Sequence, residues 1–209
     1  MLAAALQPAA LSISVAGGYL LGSIPFGVIA TRLGGAGDIR AIGSGSIGAT
    51  NVLRTGRRDL AALTLIGDAG KGAAAVLLAG WLFSPTAAAV AGGAAFVGHV
   101  ASVWLRFRGG KGVATFFGIL FALAWPVALA CGAVWIGMAA AFRFSSLAAL
   151  AAAALAPIFL VVFHLETPAR VILALFMLAI IFVRHRDNIR RLLAGAEPRI
   201  GARPAPAKP

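Results

Sequence analysis

Residues 112–142 form a run of 31 residues without a charged side chain. One straight helix of that length would extend for roughly 46 Å, whereas the hydrocarbon core of a bilayer is about 30 Å thick. Trp125 and Pro126 lie near the middle of the run, where an interfacial aromatic residue and a helix breaker favour a tight turn. The run therefore predicts two short membrane-spanning helices joined at Trp125-Pro126.

Five further apolar runs have lengths suited to membrane helices, at 9–31, 60–83, 86–105, 146–163 and 169–183. Together with the divided run they predict an all-α integral membrane protein with seven transmembrane helices in one domain, residues 1–200. The composition agrees, because 61% hydrophobic and 11% charged residues lie far outside the range of a soluble domain. The Pro-rich segment 201–209 is expected to be a disordered tail.

The distribution of Lys and Arg tests this topology independently. With seven helices, sixteen of the 18 Lys and Arg residues share one side, in 32–59, in 106–111, at Arg143 and from Arg184 onward. Arg170 lies opposite, and Lys71 lies within an apolar run. Because cations collect on the cytoplasmic side, we expect the amino terminus outside and the carboxyl terminus in the cytoplasm. The same clusters account for the net charge of +12 without nucleic acid as a partner.

The longest cytoplasmic loop contains the stretch GSGSIGATN, residues 43–51. Its glycines allow backbone N–H groups to converge on an anion, and Ser44, Thr50 and Asn51 add side-chain donors. Arg54 follows Thr50 by four residues, so a helical turn would bring it to the same place. The loop lacks the nucleotide-binding pattern GxxxxGK[ST]. It predicts either an anion site or a flexible Gly/Ser connector.

Two other cytoplasmic segments have the chemistry of anion sites. The turn RFRGGKG at 106–112 places Lys111 near the membrane, although ordinary positive-inside anchoring explains it equally well. In the tail RHRDNIRRLLAGAEPRI, His185 and Asn188 share a helical face if the seventh helix continues into water. The alternative for the tail is an amphipathic segment lying on anionic lipid.

Three ionisable side chains deep within the apolar runs are candidates for the site, namely Asp68, Lys71 and His99. Asp68 and Lys71 are three residues apart on the second predicted helix, where they form either a functional or a structural ion pair. His99 is near the internal end of the third helix, and by itself it fits a packing role better than a catalytic one. The single cysteine, Cys131, is expected to be a small core residue.

All of these anion-binding segments, together with Arg143 to Ser146, fall on one predicted face that has few carboxylates. A divalent cation would therefore find few ligands there. The pattern predicts a substrate that is itself anionic, phosphorylated and partly lipid.

Six stretches of the chain resemble the bacterial acyl-phosphate:glycerol-3-phosphate acyltransferases, the PlsY family of integral membrane enzymes. They are GSIPFG at 22–27, DIRAIGSGSIGATNVLR at 38–54, GDAGKG at 67–72, GHVASVWLRFRGGKGVAT at 98–115, RFSSL at 143–147 and RHRDNIRRLLAGAE at 184–197. In this order and joined by seven predicted spans, these motifs are highly specific.

The resemblance implies transfer of a fatty acyl group from acyl phosphate to the 1-hydroxyl of glycerol 3-phosphate. This first acylation step of phospholipid synthesis yields lysophosphatidic acid and inorganic phosphate. The residues implied for binding acyl phosphate are Ser44, Gly45, Gly48, Thr50, Asn51 and Arg54. Those implied for glycerol 3-phosphate are Lys111, Ser146, His185 and Asn188. The catalytic residues would be Arg54, Lys111, His185 and Asn188, with Asp68, Lys71 and His99 shaping and orienting the site.

The resemblance also implies a bacterial inner-membrane protein with its active site on the cytoplasmic face. Its partners would be acyl phosphate, glycerol 3-phosphate and membrane lipid. An upstream enzyme that makes acyl phosphate can supply the donor. No cofactor, metal ion or coenzyme A is expected.

Two positions depart from the family pattern, which usually has asparagine at the position of Ser46 and proline at the position of Ser102. We expect no direct substrate contact from Ser46, and from Ser102 only a changed helix end. The sequence leaves the proton acceptor open between His185 and a substrate phosphate. Two alternative functions are a small membrane transporter of an organophosphate or anion and a structural lipid-binding subunit.

Overall fold

Nine α-helices account for most of residues 2–201, which are the residues that the structure, a computed structural model, describes. They are α1 Leu2–Ser23, α2 Phe26–Leu33, α3 Ala49–Val52, α4 Arg58–Leu82, α5 Pro85–Val100, α6 Val113–Phe142, α7 Ser145–Val162, α8 Pro168–Arg184 and α9 Arg186–Leu193. Short 3-10 turns lie at Ile39–Ala41, Leu53–Thr55 and Val103–Leu105. The predicted disordered tail lies outside the described residues except for Gly201.

Within residues 2–201, five helical segments are long and apolar enough to cross a membrane, namely Gln7–Leu33, Arg58–Leu82, Pro85–Leu105, Val113–Phe142 and Ser145–Val162. A sixth is counted if α8 and α9, which meet at a bend of 61°, form one broken span. The count of seven spans and the orientation of the termini therefore remain predictions.

The first predicted span, 9–31, is not one helix. It is divided at Ile24-Pro25 into α1 and α2, because proline has no N–H group to continue the helical hydrogen bonding. The carbonyl of Ile24 that this break releases accepts a hydrogen bond from Lys71 Nζ at 2.7 Å. The break thus has a polar partner inside the protein.

The long helix α6 is broken at Ala124, whose φ of −159° and ψ of 69° are non-helical. Ala124 directly precedes the predicted turn at Trp125-Pro126. Lys111 before α6 and Ser146 after it are joined through the hydrogen-bonded side chains of Asn188 and Glu197. A straight helix of 30 residues would be about 45 Å long, so ends linked in this way require α6 to fold back at the break, with its arms 113–123 and 125–142 as a hairpin.

Small residues let the helices pack closely at the backbone. On α1, a Cβ added to Gly22 would overlap the carbonyl oxygen of Ala95 on α5, and on α6 a Cβ at Gly118 would overlap that of Ala69 on α4. Membrane helices associate through such contacts because lipid offers no hydrophobic drive between them. Three segments between or after the long helices lie at one end of the bundle. They are 34–57, 101–112 and 185–201.

Candidate active site

The Gly-rich loop is ordered by the buried side chain of Asn51. Its Nδ2 donates to the carbonyl oxygens of Ile39 at 3.1 Å, Ile42 at 2.9 Å and Ser46 at 2.8 Å. Its Oδ1 accepts from the backbone N–H of Ser44 at 3.1 Å and from the Ser44 hydroxyl at 3.3 Å. The amide of Asn51 is therefore engaged within the loop, which it holds in one conformation.

Arg54 lies directly against this loop, as the predicted helical turn from Thr50 requires. The turn consists of α3 followed by the 3-10 turn Leu53–Thr55. Gly43 has a φ of 57°, and a Cβ there would lie 2.7 Å from both Cδ and Nη1 of Arg54, so only glycine fits. Among residues 2–201, no group forms a hydrogen bond or ion pair with the Arg54 guanidinium, so its N–H groups are available to an anion.

The Gly109-Gly110 turn is clamped between two helix ends. The backbone N–H groups of Gly109 and Gly110 donate to the carbonyls of Val100 and His99, each at 3.0 Å. From α8, Arg184 Nη2 donates to the Gly109 carbonyl at 2.9 Å and Arg184 Nε to the Gly110 carbonyl at 3.2 Å. A Cβ at Gly110 would overlap Nε2 of His99. Sequence reasoning missed Arg184, although it begins the RHRDN motif.

Lys111 enters a hydrogen-bonded chain of side chains centred on Glu197. Lys111 Nζ donates to Asn188 Oδ1 at 2.6 Å, and Asn188 Nδ2 donates to Glu197 Oε1 at 2.6 Å. Ser146 Oγ donates to Glu197 Oε1, and Arg191 Nε to Glu197 Oε2, both at 2.7 Å. Burial raises the pKa of the Glu197 carboxyl, but these three donors outweigh it and hold the pKa below its usual value.

The structure thus brings together three of the predicted glycerol 3-phosphate ligands, Lys111, Ser146 and Asn188. The carboxylate that joins Ser146 to Asn188, Glu197, was not among the predicted site residues. Its signals in the sequence were that it is one of six acidic residues and that it ends the motif RHRDNIRRLLAGAE. Its side chain is 6% exposed.

His185 lies at the bend between α8 and α9. The helix predicted to be the seventh, which corresponds to α8, therefore does not continue straight into water, although the predicted shared face of His185 and Asn188 depended on that. His185 and Asn188 are 2% and 6% exposed and therefore face the protein interior. The Nδ1 of His185 is 2.8 Å from the carbonyl oxygen of Ile181, which can only accept a hydrogen bond. In the neutral imidazole this leaves Nε2 as the proton-accepting nitrogen.

The ammonium of Lys111 sits in an environment that disfavours its charge. Burial is the largest cause, and the cations Arg191, Arg54 and Arg184 act in the same direction, whereas Glu197 opposes them. Together they lower the pKa of Lys111 to about 8. A bound phosphate would reverse this balance by supplying negative charge beside the ammonium.

A cavity of about 220 Å³ lies between the Gly-rich loop and the Gly109-Gly110 turn. Its walls are Ser44, Gly45, Ser46, Gly109, Lys111, Val183, Arg184, Arg186 and Asp187. Three cations and one carboxylate among these residues make the cavity suitable for an anion. Ser46, from which no contact was expected, is part of its wall.

The predicted ion pair on α4 is present and buried. Lys71 Nζ lies 2.8 Å from Asp68 Oδ1, at an angle unsuited to a hydrogen bond, and His99 Nδ1 lies 3.4 Å from the same oxygen. The contact of Asp68 with His99 links α4 to α5. The contact of Lys71 with Ile24 links α4 to the break between α1 and α2. The ring of His99 also contacts Gly110, so the ion pair is connected to the Gly109-Gly110 turn through His99.

Ser102 does more than change a helix end. Its hydroxyl donates to the carbonyl of Ser23 at 2.6 Å, and the Tyr19 hydroxyl donates to the Ala101 carbonyl at 2.8 Å. These two bonds tie the segment after α5 to the end of α1. The clamped turn before Lys111 follows this junction after the 3-10 turn Val103–Leu105.

Comparison with known proteins identifies the family of this chain. The family model described as glycerol-3-phosphate acyltransferase matches residues 12–195. A protein of Caulobacter vibrioides named glycerol-3-phosphate acyltransferase is 61% identical over 215 residues, which cover 99% of this chain and 98% of the relative. One of the same name from Mesorhizobium japonicum is 58% identical, with 89% of this chain and 94% of the relative covered.

Two solved structures have the same fold. A crystal structure of PlsY, an integral membrane glycerol 3-phosphate acyltransferase, in its glycerol 3-phosphate form has a TM-score of 0.86 and 39% identity, covering 91% of this chain and 96% of that chain. The lysophosphatidic acid form has a TM-score of 0.84 and 38% identity, covering 91% and 95%. The all-helical integral membrane fold and the family resemblance are thereby confirmed. The chain belongs to the PlsY family of glycerol-3-phosphate acyltransferases.

Proposed function

We propose that this protein transfers a fatty acyl group from acyl phosphate to the 1-hydroxyl of glycerol 3-phosphate, giving lysophosphatidic acid and inorganic phosphate. The cavity between the Gly-rich loop and Lys111 is the observation that carries the proposal, because it joins two anion-binding segments at one site. The relatives' names, and the two forms in which PlsY was crystallised, support the acceptor and the product. The acyl phosphate donor is what the family resemblance implies, and the anion-binding chemistry of the loop is compatible with it.

The donor phosphate is assigned to the Gly-rich loop, with ligands from Ser44, Gly45, Gly48, Thr50 and Arg54. Asn51, included among the predicted ligands, acts by shaping the loop, since its amide is engaged there. Two phosphorylated substrates about 5 Å apart repel by roughly 3 kcal/mol per pair of unit charges at an effective dielectric of 20. The free guanidinium of Arg54 offsets this repulsion and stabilises the phosphate as it leaves.

Glycerol 3-phosphate is assigned to Lys111, Ser146, His185 and Asn188, of which Lys111 is part of the cavity wall. The ammonium of Lys111 uses one of its three donors on Asn188, which leaves two for a phosphate. Asn188 and Ser146 are both fixed by Glu197, so the acceptor site is preorganised. Asp68, Lys71 and His99 support it by holding the Gly109-Gly110 turn.

The reaction needs no protein nucleophile, because acyl phosphate is a mixed anhydride with a good leaving group. The 1-hydroxyl oxygen attacks the acyl carbonyl carbon and forms the ester bond. The anhydride C–O bond breaks, and phosphate leaves with the electron pair. The proposal requires no metal ion, cofactor or coenzyme A.

The hydroxyl proton has two candidate acceptors, a substrate phosphate and Nε2 of His185. We favour the phosphate, since Arg184 and Arg186 line the cavity whereas the buried His185 between them is not part of its wall. In that case a His185→Gln variant loses activity without a change in its pH–rate profile. Disappearance of a pH-dependent limb in that variant would instead assign the proton to His185.

We further propose seven membrane crossings, with the amino terminus outside and the site on the cytoplasmic face of the bacterial inner membrane. The contact between Lys111 and Asn188 supports an even number of crossings between them. Since α7 and α8 supply two, the hairpin of α6 supplies two more. The rival hypothesis of an organophosphate transporter needs a site near mid-membrane, whereas this site lies at one end of the bundle.

The decisive experiment uses purified protein in detergent, with acyl phosphate and glycerol 3-phosphate as substrates and no magnesium. We expect release of inorganic phosphate and lysophosphatidic acid in equal amounts. Arg54→Ala and Lys111→Ala should each lower turnover by about a hundredfold or more. Arg106→Ala, a change at an exposed cation outside the cavity, should have little effect. Folded wild-type protein that releases no phosphate would exclude the proposal.

A further inference from the structure

A second cavity lies at the end of the bundle opposite the proposed active site. It has a volume of about 1,120 Å³ and is formed by the end of α4, the beginnings of α5 and α8, and the break in α6. Trp81 on α4 is 82% exposed and Ile172 on α8 is 67% exposed, so this groove opens to the surface that faces lipid. Small-molecule pockets in proteins measure roughly 300–1,000 Å³, so the groove is at least as large as a typical ligand site.

The groove wall is apolar except for three side chains, Thr86, Thr167 and Arg170. Exposed tryptophan is typical of the headgroup level of a membrane, which places the Trp81 end of the groove at the interface. From there the wall continues along Val76 and Leu123 toward the middle of the bundle. This combination of an interfacial mouth and an apolar interior matches the shape of a phospholipid.

Arg170 is the single charged residue of the groove wall. Its Nη1 donates to the carbonyl of Leu165 at 3.0 Å, and no carboxylate among residues 2–201 forms an ion pair with it. It lies in the first turn of α8, where the helix dipole is positive and repels a cation. An anion at this position would interact favourably with both the guanidinium and the helix end.

We propose that the groove binds one membrane phospholipid with a net negative headgroup, its phosphate at Arg170 and its acyl chains along the apolar wall. The charge complementarity at Arg170 selects the anionic headgroup, and the open apolar side admits the chains from the bilayer. This site is separate from the acyl-transfer site and goes beyond the proposed function.

The test measures retention of spin-labelled phosphatidylglycerol and phosphatidylcholine by the full-length protein in detergent. Wild-type protein should bind phosphatidylglycerol more tightly, and Arg170→Gln should weaken that binding about fivefold while leaving phosphatidylcholine unchanged. Thr86→Trp, at an exposed position of the groove, should weaken binding of both lipids because it fills the space. Arg106→Gln is the matched control at an exposed cation of the other end.

Equal affinity of the wild-type protein for the two lipids would overturn the proposal, as would unchanged binding in both Arg170→Gln and Thr86→Trp. A fall in Arg106→Gln equal to that in Arg170→Gln would also overturn it, since the effect would then reflect net charge. The assay contains no substrate, so its outcome does not depend on whether the protein transfers acyl groups.

Discussion

At the scale of a single residue, the surroundings of Lys111 change its pKa, and this change has a measurable consequence. Because its pKa is lowered to about 8, the ammonium is charged below that pH and loses its proton as the pH rises through it. We therefore expect kcat/KM for glycerol 3-phosphate to be level below about pH 8 and to fall about tenfold per unit above it. Initial rates of phosphate release, measured across pH at low glycerol 3-phosphate, give this profile.

The control for this prediction is Lys111→Arg, which keeps the positive charge at all accessible pH values. Its activity is expected to be lower, because a guanidinium does not match the position of the ammonium, but the alkaline fall should vanish. If the variant keeps the same alkaline fall as the wild type, another group is responsible for it.

Single residues show where sequence reasoning reached its limit. Lys111, Ser146 and Asn188 lie in segments that the sequence places on one anion-binding face, and the family resemblance implies that they bind glycerol 3-phosphate. The role of Glu197 was missed, since a carboxylate is a poor phosphate ligand and its value lies in holding three donors, a tertiary arrangement without a sequence pattern. Asn51 was expected to bind substrate because an isolated sequence cannot tell that its amide is already engaged.

At the scale of the elements, hydropathy located the helices well and their interruptions less well. The predicted spans 60–83 and 146–163 correspond to Arg58–Leu82 and Ser145–Val162, because length and apolar composition determine both. The break at Pro25 lay inside an apolar run and went unpredicted. The bend at His185 depends on contacts of Asn188 and Arg184 with other segments, which no local pattern encodes.

The junction of α5 with the Gly109-Gly110 turn is the element-scale feature most open to test. In Gly110→Ala, the new Cβ would overlap Nε2 of His99 and push the turn away from the end of α5. A displacement of about 1 Å at Lys111 is expected to lower kcat/KM for glycerol 3-phosphate by about a hundredfold. Gly132→Ala on α6, where nothing lies within 4 Å of the added Cβ, is the matched control. Wild-type kinetics in both variants would show that the turn tolerates displacement.

At the scale of the whole molecule, the side-chain contacts and the charge pattern answer different questions. Lys111 with Asn188, and Ser146 with Glu197, require their segments to share one side of the membrane, whichever side that is. Only the asymmetric distribution of Lys and Arg predicts that this side is the cytoplasm. The number of crossings and the absolute orientation can therefore be tested together.

Single cysteines in a Cys131→Ala background provide that test, since Cys131 is the chain's single cysteine. Arg106→Cys, Glu166→Cys and Ala194→Cys each change an exposed residue in a connecting segment or beyond α9. With seven crossings and the amino terminus outside, a membrane-impermeant maleimide should label position 166 in intact cells, and positions 106 and 194 only after lysis. Labelling of 106 and 194 but not 166 would reverse the orientation. Labelling of 194 alone would mean that α6 crosses once and that the proposed count is wrong.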